Sequence, residues 1–372
     1  MLGLAEADKV RYARHLTLPQ IGESGQKKLN DSKVFCVGAG GLGSPVLLYL
    51  AAAGIGNITL IDDDVIERSN LQRQILHSDE GVGESKADSA MRRILDLNPA
   101  IIVQKHDFRL TSDNALELIE GHDVVVDGTD NIPTRYLIND CCEILNIPWI
   151  YGSIYRFEGQ VSVFNHNNGP TYRDLFPEPP PPESVPSCED GGVLGVLPGV
   201  IGSIQATEAI KMILGIGELL SGELLIYDAL SMTMRKLTFE RIEEREPVTG
   251  LIDYEEFCGG GQMKVNFNEI TPTEFVAKLK EGWKPLFIDS RNQIEANIVT
   301  LPETDALIPH EDTLSAKLPK NRDIVFYCRT GVRSAMAAHA LTRSGFKPSA
   351  LYNLTGGVHA WHDEIDSTVP KY

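Results

Sequence analysis

Four glycines in the first third of the chain have the spacing of a phosphate-binding turn. Gly38, Gly40, Gly41 and Gly43 directly follow a predicted buried strand and open a predicted helix. Glycine permits a tight turn and close approach of the backbone to phosphate, and the N-terminus of the following helix attracts an anion. Asp62 ends the next predicted strand, where an acidic side chain typically binds a ribose. The spacing therefore predicts a nucleotide site.

Charged and amide side chains follow this acidic residue along the chain. They are Asp64, Asn70, Arg73, Gln74, Lys86 and Asp130. Arginine and lysine neutralise phosphate, and nucleotide-bound Mg²⁺ is typically held by one or two carboxylates plus phosphate oxygens. A nicotinamide dinucleotide, the commonest ligand of such a glycine turn, needs neither. The set therefore favours a nucleoside triphosphate with Mg²⁺.

A second candidate centre is Cys328, which lies between a predicted buried strand and a predicted helix. A cysteine in this position faces backbone N–H groups and the N-terminus of the helix, and Arg329 and Arg333 add positive charge. All of these features favour a thiolate and then a persulfide anion. The sequence therefore predicts that Cys328 is a nucleophile.

The other cysteines divide into one candidate nucleophile and packing residues. Cys188 lies in a proline-rich crossing, where a core cysteine is not expected, but the neighbouring Glu189 and Asp190 would raise its pKa. It is either a second reactive thiol or a spare exposed one. Three cysteines in a predicted strand and helix are expected to pack in the core, namely Cys36, Cys141 and Cys142. Cys258 lies in a predicted linker and could be reactive.

The elements that position these residues alternate between strands and helices, which implies a mostly parallel sheet. The fold class is therefore α/β, with a Rossmann-like, nucleotide-binding first domain and a smaller α/β domain after it. The stretch 149–165 is predicted to add antiparallel strands and so to make the first sheet mixed. Four consecutive prolines at 179–182 predict an extended crossing. The predicted boundaries are a first domain at 1–245, a linker at 246–265 and a second domain at 266–372.

The net charge of −18 excludes several classes of partner. Residues 1–265 hold 22 basic and 39 acidic side chains, whereas residues 266–372 hold 12 and 13, so the charge belongs to the first domain. Binding to nucleic acid or to an anionic membrane needs a basic surface, and neither is expected. No apolar stretch is long enough for a bilayer and no signal peptide is predicted, so a cytoplasmic location is expected.

The motifs GAGGLGS, DDDVIERSNLQRQ and GTDN resemble the MoeB/ThiF branch of the ubiquitin-activating-enzyme superfamily, over about residues 5–250. The resemblance implies that the glycine turn and Asp62 hold ATP and that Asp130 holds Mg²⁺. It also implies that Asn70, Arg73, Gln74 and Lys86 contact the ribose and phosphates. Arg14 matches an arginine that the family supplies across a homodimer to the partner's phosphates.

The same resemblance implies the reaction and one departure from the family. The C-terminal Gly-Gly carboxylate of a small ubiquitin-like sulfur-carrier protein attacks the α-phosphate of ATP, which gives an acyl-adenylate and pyrophosphate. Many members also bind a structural zinc through two CxxC pairs. The segment after Gly169-Pro170 reads Thr171-Tyr-Arg-Asp174 here, and the second pair is missing as well, so no zinc is predicted.

The segment around Cys328 resembles the active loop of rhodaneses, which are sulfurtransferases. Four residues separate Cys328 from Arg333, whereas related phosphatase loops have five and so make room for phosphate; the shorter spacing suits sulfur. Asp289-Ser-Arg291 and Gly356-Gly-Val-His-Ala-Trp361 also match rhodanese segments, whereas the stretch 297–309 departs from the pattern.

The order of the two domains resembles MoeZ-type fusions of an adenylyltransferase with a sulfurtransferase. The resemblance implies that a persulfide on Cys328, formed from thiosulfate or a cysteine desulfurase, attacks the acyl-adenylate, after which Cys188 releases a thiocarboxylate. Alternatively, Cys188 first forms a thioester, which the persulfide then attacks. The carrier could serve molybdopterin, thiamine, cysteine or tRNA-thiolation pathways.

Three other functions remain as alternatives at this point. One is a nicotinamide oxidoreductase, which Arg73, Lys86 and Asp130 disfavour. Another is an activator for conjugation of a ubiquitin-like protein, which would pass a thioester to a protein target. The third is a binding scaffold without activity, which would carry no persulfide on Cys328.

Overall fold

The computed structural model describes residues 4–180, 192–258 and 267–372. The chain divides into two compact units between Gly261 and Gln262. Each unit is an α/β structure built around its own sheet. The α/β class expected from the alternation of strands and helices is therefore confirmed.

The first unit holds an eight-stranded mixed sheet. Its strands are β1 Lys33–Val37, β2 Asn57–Ile61, β3 Ile102–His106, β4 Val124–Asp127, β5 Trp149–Tyr155, β6 Glu158–Phe164, β7 Glu223–Asp228 and β8 Thr233–Thr238. Its described helices are α1 Glu6–Arg11, α2 Ala13–Leu16, α3 Gly22–Asp31, α4 Gly43–Ala53, α5 Lys86–Leu97, α6 Ala115–Ile119, α7 Ile132–Leu145, α8 Tyr172–Leu175, α9 Leu197–Leu214 and α10 Tyr254–Phe257.

The strand order places the candidate nucleotide residues at one crevice. The strands follow one another as β3-β2-β1-β4-β5-β6-β7-β8, parallel from β3 to β5 and antiparallel from β5 to β8. The chain moves outward from β1 in both directions, and such a reversal opens a crevice at the carboxyl ends of the strands. The glycine turn follows β1 and Asp130 follows β4, so both lie at this crevice.

Buried apolar side chains cover both faces of this sheet in two clusters. Cys36 belongs to one cluster, and Cys141 and Cys142 to the other. All three are at most 1% exposed, and burial raises the pKa of Cys36 and Cys141 to about 12. The prediction that these cysteines pack in the core is confirmed.

The described part of the predicted linker packs against the first unit. Tyr254 is buried, and its hydroxyl donates to Asp140 Oδ2 at 2.7 Å. Ser112 Oγ also donates to the carbonyl of Ile252 at 2.7 Å. The acidic, glycine-rich composition favoured a linker from residue 246 onward, but apolar side chains and hydrogen bonds hold residues 248–258 to the first unit.

The second unit holds a five-stranded parallel sheet in the order β11-β10-β12-β13-β9. Its strands are β9 Asn268–Ile270, β10 Leu286–Asp289, β11 Ala306–Leu307, β12 Ile324–Tyr327 and β13 Leu351–Leu354. Its helices are α11 Pro272–Lys280, α12 Gln293–Ile298, α13 Val332–Arg343 and α14 Gly357–Glu364. The strand β12 is buried throughout, and the loop that carries Cys328 joins it to α13.

Among the described residues, the structure has no helix that is long and apolar enough to cross a membrane.

Candidate functional sites

The glycine turn after β1 is tight enough to require glycine at two positions. Gly38 has φ +93°, and a Cβ there would lie 2.9 Å from the carbonyl oxygen of Gly128. A Cβ on Gly43 would lie 2.0 Å from the carbonyl oxygen of Gly38. A side chain at residue 43 would therefore force the turn apart. Gly43, predicted as a ligand contact, thus acts in the structure by closing the turn.

Asp62 is held by the backbone on both of its oxygens. Oδ2 accepts the N–H of Ala39 at 2.7 Å, and Oδ1 accepts the N–H of Asp64 at 3.0 Å. Burial raises the pKa of this carboxyl, although Lys86 and the two backbone donors oppose the shift. The acid is thus fixed beside the glycine turn, with lone pairs left to accept hydroxyl groups of a ligand.

Lys86 is the first residue of α5, which Ser85 caps by accepting the N–H of Asp88. The lysine is 6% exposed, and its Nζ donates to Asp64 Oδ2 at 2.7 Å. A buried ammonium is stable only with such a partner. Asp64, predicted among the ligand contacts, therefore also holds the charge of Lys86 in place.

These residues surround a cavity of about 360 Å³. Nine of the predicted ligand residues line it: Gly38, Gly40, Gly41, Asp62, Asp64, Arg73, Gln74, Lys86 and Asp130. Gln74 is 5% exposed, and its Oε1 has no hydrogen-bond partner among the described residues. A buried acceptor without a partner is costly, so a bound ligand that donates a hydrogen bond would stabilise it.

Three predicted site residues are not among the described lining residues. They are Arg14, Gly43 and Asn70. Asn70 is buried at a short 3-10 turn, where its Oδ1 accepts the N–H of Glu67 at 3.2 Å. Its hydrogen bond thus shapes the segment that carries Arg73 and Gln74. Arg14 lies exposed on α2.

Several lining residues were not predicted from the sequence, and Arg135 is the most unusual of them. Its guanidinium is almost fully buried, and it donates to the carbonyls of Thr129 and Gly152 at 3.1 and 3.3 Å. Asp127 lies 3.5 Å away and compensates the charge. Arg135 thus connects the loop that carries Asp130 to β5. An arginine inside an apolar helix segment was the only signal in the sequence. The other missed residues include Phe108, Arg109, Ser153 and Tyr155.

The donor set at Asp130 suits a nucleotide-bound Mg²⁺. Asp130 is exposed and lines the cavity beside Asn131, whose side chain caps α7. One carboxylate leaves most coordination positions to water and phosphate oxygens, which is how Mg²⁺ is usually bound. The residues therefore fit the ion.

The loop after β12 closes on the sulfur atom of Cys328. The backbone N–H of Gly331 donates to Sγ at 3.1 Å, and Ser334 Oγ lies 3.5 Å from it. Cys328 has no exposed surface, and Gly331 has φ +95°. A backbone donor at this distance can stabilise a negatively charged sulfur atom. The predicted strand-loop-helix arrangement around Cys328 is therefore present.

The positive charge near this loop is shared with carboxylates, which the sequence did not predict. Arg333 forms two 2.7 Å hydrogen bonds with Glu295. Although burial opposes the charged form of Glu295, these bonds hold the pKa of that carboxyl below its ordinary value. Arg291 is fully buried and pairs with Asp289 at 2.6 Å. Arg333 thus reaches the loop as a member of an ion pair and not as an isolated cation.

Two further cysteines and the segment Thr171–Asp174 were also considered as candidate sites in the sequence. Cys188 lies outside the described residues. Cys258 is partly buried, and burial raises its pKa to about 11, which makes it a poor nucleophile. In the segment Thr171–Asp174, Arg173 forms an ion pair with Asp140, and Asp174 forms one with Arg245. Within the described ranges, no group of three or more His, Cys, Asp or Glu side chains could hold a metal.

Two family models match the chain, one on each unit. The ThiF family matches residues 12–248, and the rhodanese-like domain matches residues 271–364. Probable adenylyltransferase/sulfurtransferase MoeZ of Mycobacterium tuberculosis is 46% identical over 99% of this chain and 96% of its own length. Adenylyltransferase and sulfurtransferase MOCS3 of Drosophila yakuba is 42% identical over 99% of this chain and 86% of its own.

Two further similarities each cover about two thirds of the chain. The sulfur carrier protein adenylyltransferase of Thermus thermophilus is 52% identical over 67% of this chain and 96% of its own length. The crystal structure of E. coli MccB with ATP superposes with a TM-score of 0.57 at 23% identity, over 64% of this chain and 73% of that one. At this identity the superposition supports the fold alone.

Proposed function

This chain belongs to the ThiF family and carries a rhodanese-like domain, and from that premise we propose that it is an adenylyltransferase and sulfurtransferase acting on a sulfur-carrier protein. The observation that carries the proposal is the cavity at the β1–β4 crevice, where the glycine turn, the fixed acid Asp62 and two cations meet. Relatives that are named both adenylyltransferase and sulfurtransferase match this chain over nearly its full length.

In the first step, the C-terminal carboxylate of the carrier attacks the α-phosphorus of ATP. A carbon-bound oxygen forms a new P–O bond, and the bond to pyrophosphate breaks. Transfer of this kind depends mainly on positioning and on neutralising phosphate charge. Arg73 and Lys86 supply positive charge at the cavity, and Asp62 orients the ribose. Asp130 would hold Mg²⁺, which neutralises phosphate charge when it is bound.

In the second step, the outer sulfur of a Cys328 persulfide attacks the carbonyl carbon of the acyl-adenylate. A C–S bond forms, AMP leaves, and the carrier is joined to Cys328 as an acyl-disulfide. A thiol then attacks Sγ of Cys328, which releases the carrier thiocarboxylate and leaves a disulfide between that thiol and Cys328. A thiol reductant reduces this disulfide and regenerates both cysteines. We assign that thiol to Cys188. A prior thioester on Cys188 is the other order, and it also ends in the acyl-disulfide.

Several finer features belong to the same proposal. The active unit is a homodimer in which Arg14 of one subunit serves the site of the other. The sulfur donor is thiosulfate or a cysteine desulfurase, and the enzyme works in the cytoplasm. The exposure of Arg14 outside the described cavity lining supports the first of these assignments.

Family membership disfavours a nicotinamide oxidoreductase. Activation for conjugation remains distinguishable by its product, because the carrier would then end on lysine side chains of a target and not as a thiocarboxylate.

One pair of variants tests the division of labour between the two units. Asp130→Asn is expected to abolish carrier-dependent ATP–pyrophosphate exchange, and Cys328→Ser is expected to retain exchange and lose thiocarboxylate formation. Asp113→Asn and Cys258→Ser are the matched controls, since Asp113 is exposed outside the cavity and burial raises the pKa of the Cys258 thiol, which disfavours its thiolate. Full exchange by Asp130→Asn, or full thiocarboxylate yield by Cys328→Ser, would refute the respective assignment.

A further inference from the structure

One peptide of the glycine turn is fixed from both sides. The N–H of Ala39 donates to Asp62 Oδ2 at 2.7 Å, as described above. Its carbonyl oxygen lies 2.9 Å from Nε2 of His77, a side chain that is 9% exposed. His77 Nδ1 in turn lies 3.0 Å from Ser89 Oγ. The histidine therefore connects the turn to α5, the helix that begins with Lys86.

The hydrogen bonds assign the tautomer of His77. A carbonyl oxygen only accepts, so Nε2 must carry the proton that it donates to Ala39. Nδ1 is then the acceptor for the hydroxyl of Ser89. Burial lowers the pKa of His77, and nearby Lys86 acts in the same direction. The hydrogen bond to the Ala39 carbonyl opposes them, but the net shift favours the neutral ring.

These contacts close a ring around the cavity wall. Asp62 holds Ala39 and Asp64, Asp64 holds the ammonium of Lys86, and Lys86 lies one helical turn before Ser89. Ser89 and His77 complete the circuit back to Ala39. Asp62, Asp64 and Lys86 line the cavity, whereas Ala39, His77 and Ser89 are not among its lining residues.

We propose that His77 is a positioning residue for ATP: it sets the distance between the glycine turn and Lys86 by joining the Ala39 carbonyl to α5. This inference rests on the proposed function, since it concerns the same nucleotide. With the ring intact, the glycine turn and the ammonium of Lys86 keep a fixed distance that matches the phosphates of one ATP. The entropic cost of arranging them is met on folding and not on binding. Without it, the turn and the helix can move apart.

The test compares three variants by direct binding of ATP, measured by calorimetry on the full chain without carrier. His77→Ala is expected to weaken ATP binding about tenfold, the effect of losing one or two hydrogen bonds. His77→Gln places an amide donor near the position of Nε2 and is expected to restore most of the affinity. His77→Asn reaches only the position of Nδ1 and is expected to bind as weakly as the alanine variant.

A second readout separates positioning from a general loss of stability. In carrier-dependent exchange, His77→Ala is expected to raise KM for ATP and to leave KM for the carrier unchanged. Equal ATP affinity in the glutamine and asparagine variants, or unchanged affinity in the alanine variant, would overturn the proposal. If His77→Ala does not fold, the glutamine–asparagine comparison decides alone. ATP binding with these differences but without exchange would refute the adenylation step and leave the role of His77 intact.

Discussion

The turn after β1 and the loop after β12 both lie at the end of a parallel strand, and we propose that each holds an anion. Each joins a buried strand to a helix, and each contains a glycine with positive φ, +93° at Gly38 and +95° at Gly331. The first borders a cavity of about 360 Å³. The second surrounds the sulfur atom of Cys328, which has no exposed surface.

The difference lies in what the neighbouring charges are bound to. At the first site, Asp130 is exposed in the cavity and Gln74 Oε1 has no partner among the described residues, so polar groups are left for a ligand. At the second, Arg333 is bound to Glu295 and Arg291 to Asp289. We therefore propose that the first turn serves a large, exchangeable polyanion and the second loop a single covalently held sulfur atom.

The largest expected effects come from adding a methyl group to a glycine in each turn. Gly43→Ala is expected to lower ATP–pyrophosphate exchange on the order of a hundredfold, because its Cβ would lie 2.0 Å from Gly38 O, and to spare sulfur transfer from thiosulfate to cyanide. Gly331→Ala is expected to do the reverse, since φ is +95° and its Cβ would lie 2.9 Å from Gly356 N.

Gly199→Ala in α9 is the control for both variants, because a Cβ there has nothing within 4 Å. If either turn variant lost both activities while remaining folded, the two sites would not act independently of each other.

The next largest effect is expected in a complementation experiment, which tests whether a second subunit completes the first site. Arg14→Ala and Asp130→Asn are each expected to be inactive in exchange. If Arg14 serves the partner's site, a mixed dimer has one site with both native residues, and an equimolar, exchanged mixture recovers about a quarter of the native activity. Activity of the mixture no higher than that of the separate variants would place Arg14 and Asp130 in the same subunit's site, or Arg14 in none.

The smallest expected effect concerns the paired arginine of the second site. Glu295→Gln leaves Arg333 without its carboxylate and is expected to cost about 1–3 kcal/mol of unfolding free energy at pH 7, measured by urea denaturation. The folded pKa of Glu295 is lowered, so its contribution is present above the ordinary value of 4.5 and is lost as pH falls through the folded pKa. The difference between native and variant protein therefore shrinks on acidification.

Glu281→Gln, an exposed carboxylate in the same unit, is expected to change stability by less than about 0.5 kcal/mol. An equal effect of the two variants would mean that Arg333 is not held by Glu295.

The sequence predicted the local features because each is fixed by neighbours along the chain. The glycine turn, Asp62 and Cys328 follow buried strands, and apolar runs flanked by glycine identify such strands well. The roles of Gly43 and Asn70 were harder to predict, because neither the close approach of residue 43 to the Gly38 carbonyl nor a hydrogen bond to Glu67 is visible as a pattern. Both belong to the site's framework.

Contacts between distant segments leave no pattern in the sequence and were not predicted. Arg135 reads as an ordinary helix residue until β4 and β5 bring Thr129 and Gly152 to it. Glu295 and Arg333 are 38 residues apart, and no spacing rule pairs them. The packing of Tyr254 on Asp140 likewise joins a charged, linker-like segment to a helix more than a hundred residues earlier.

The central claim is that the two sites act in series on one carrier, and a labelled-sulfur transfer tests it most directly. The enzyme is loaded with thiosulfate labelled in its outer sulfur, freed of excess donor and mixed with a carrier that ends in Gly-Gly. Label is expected at the carrier's C-terminus, as a thiocarboxylate detected by mass spectrometry, only when ATP is present and Cys328 is intact. Labelled thiocarboxylate formed without ATP, or by Cys328→Ser, would contradict the account.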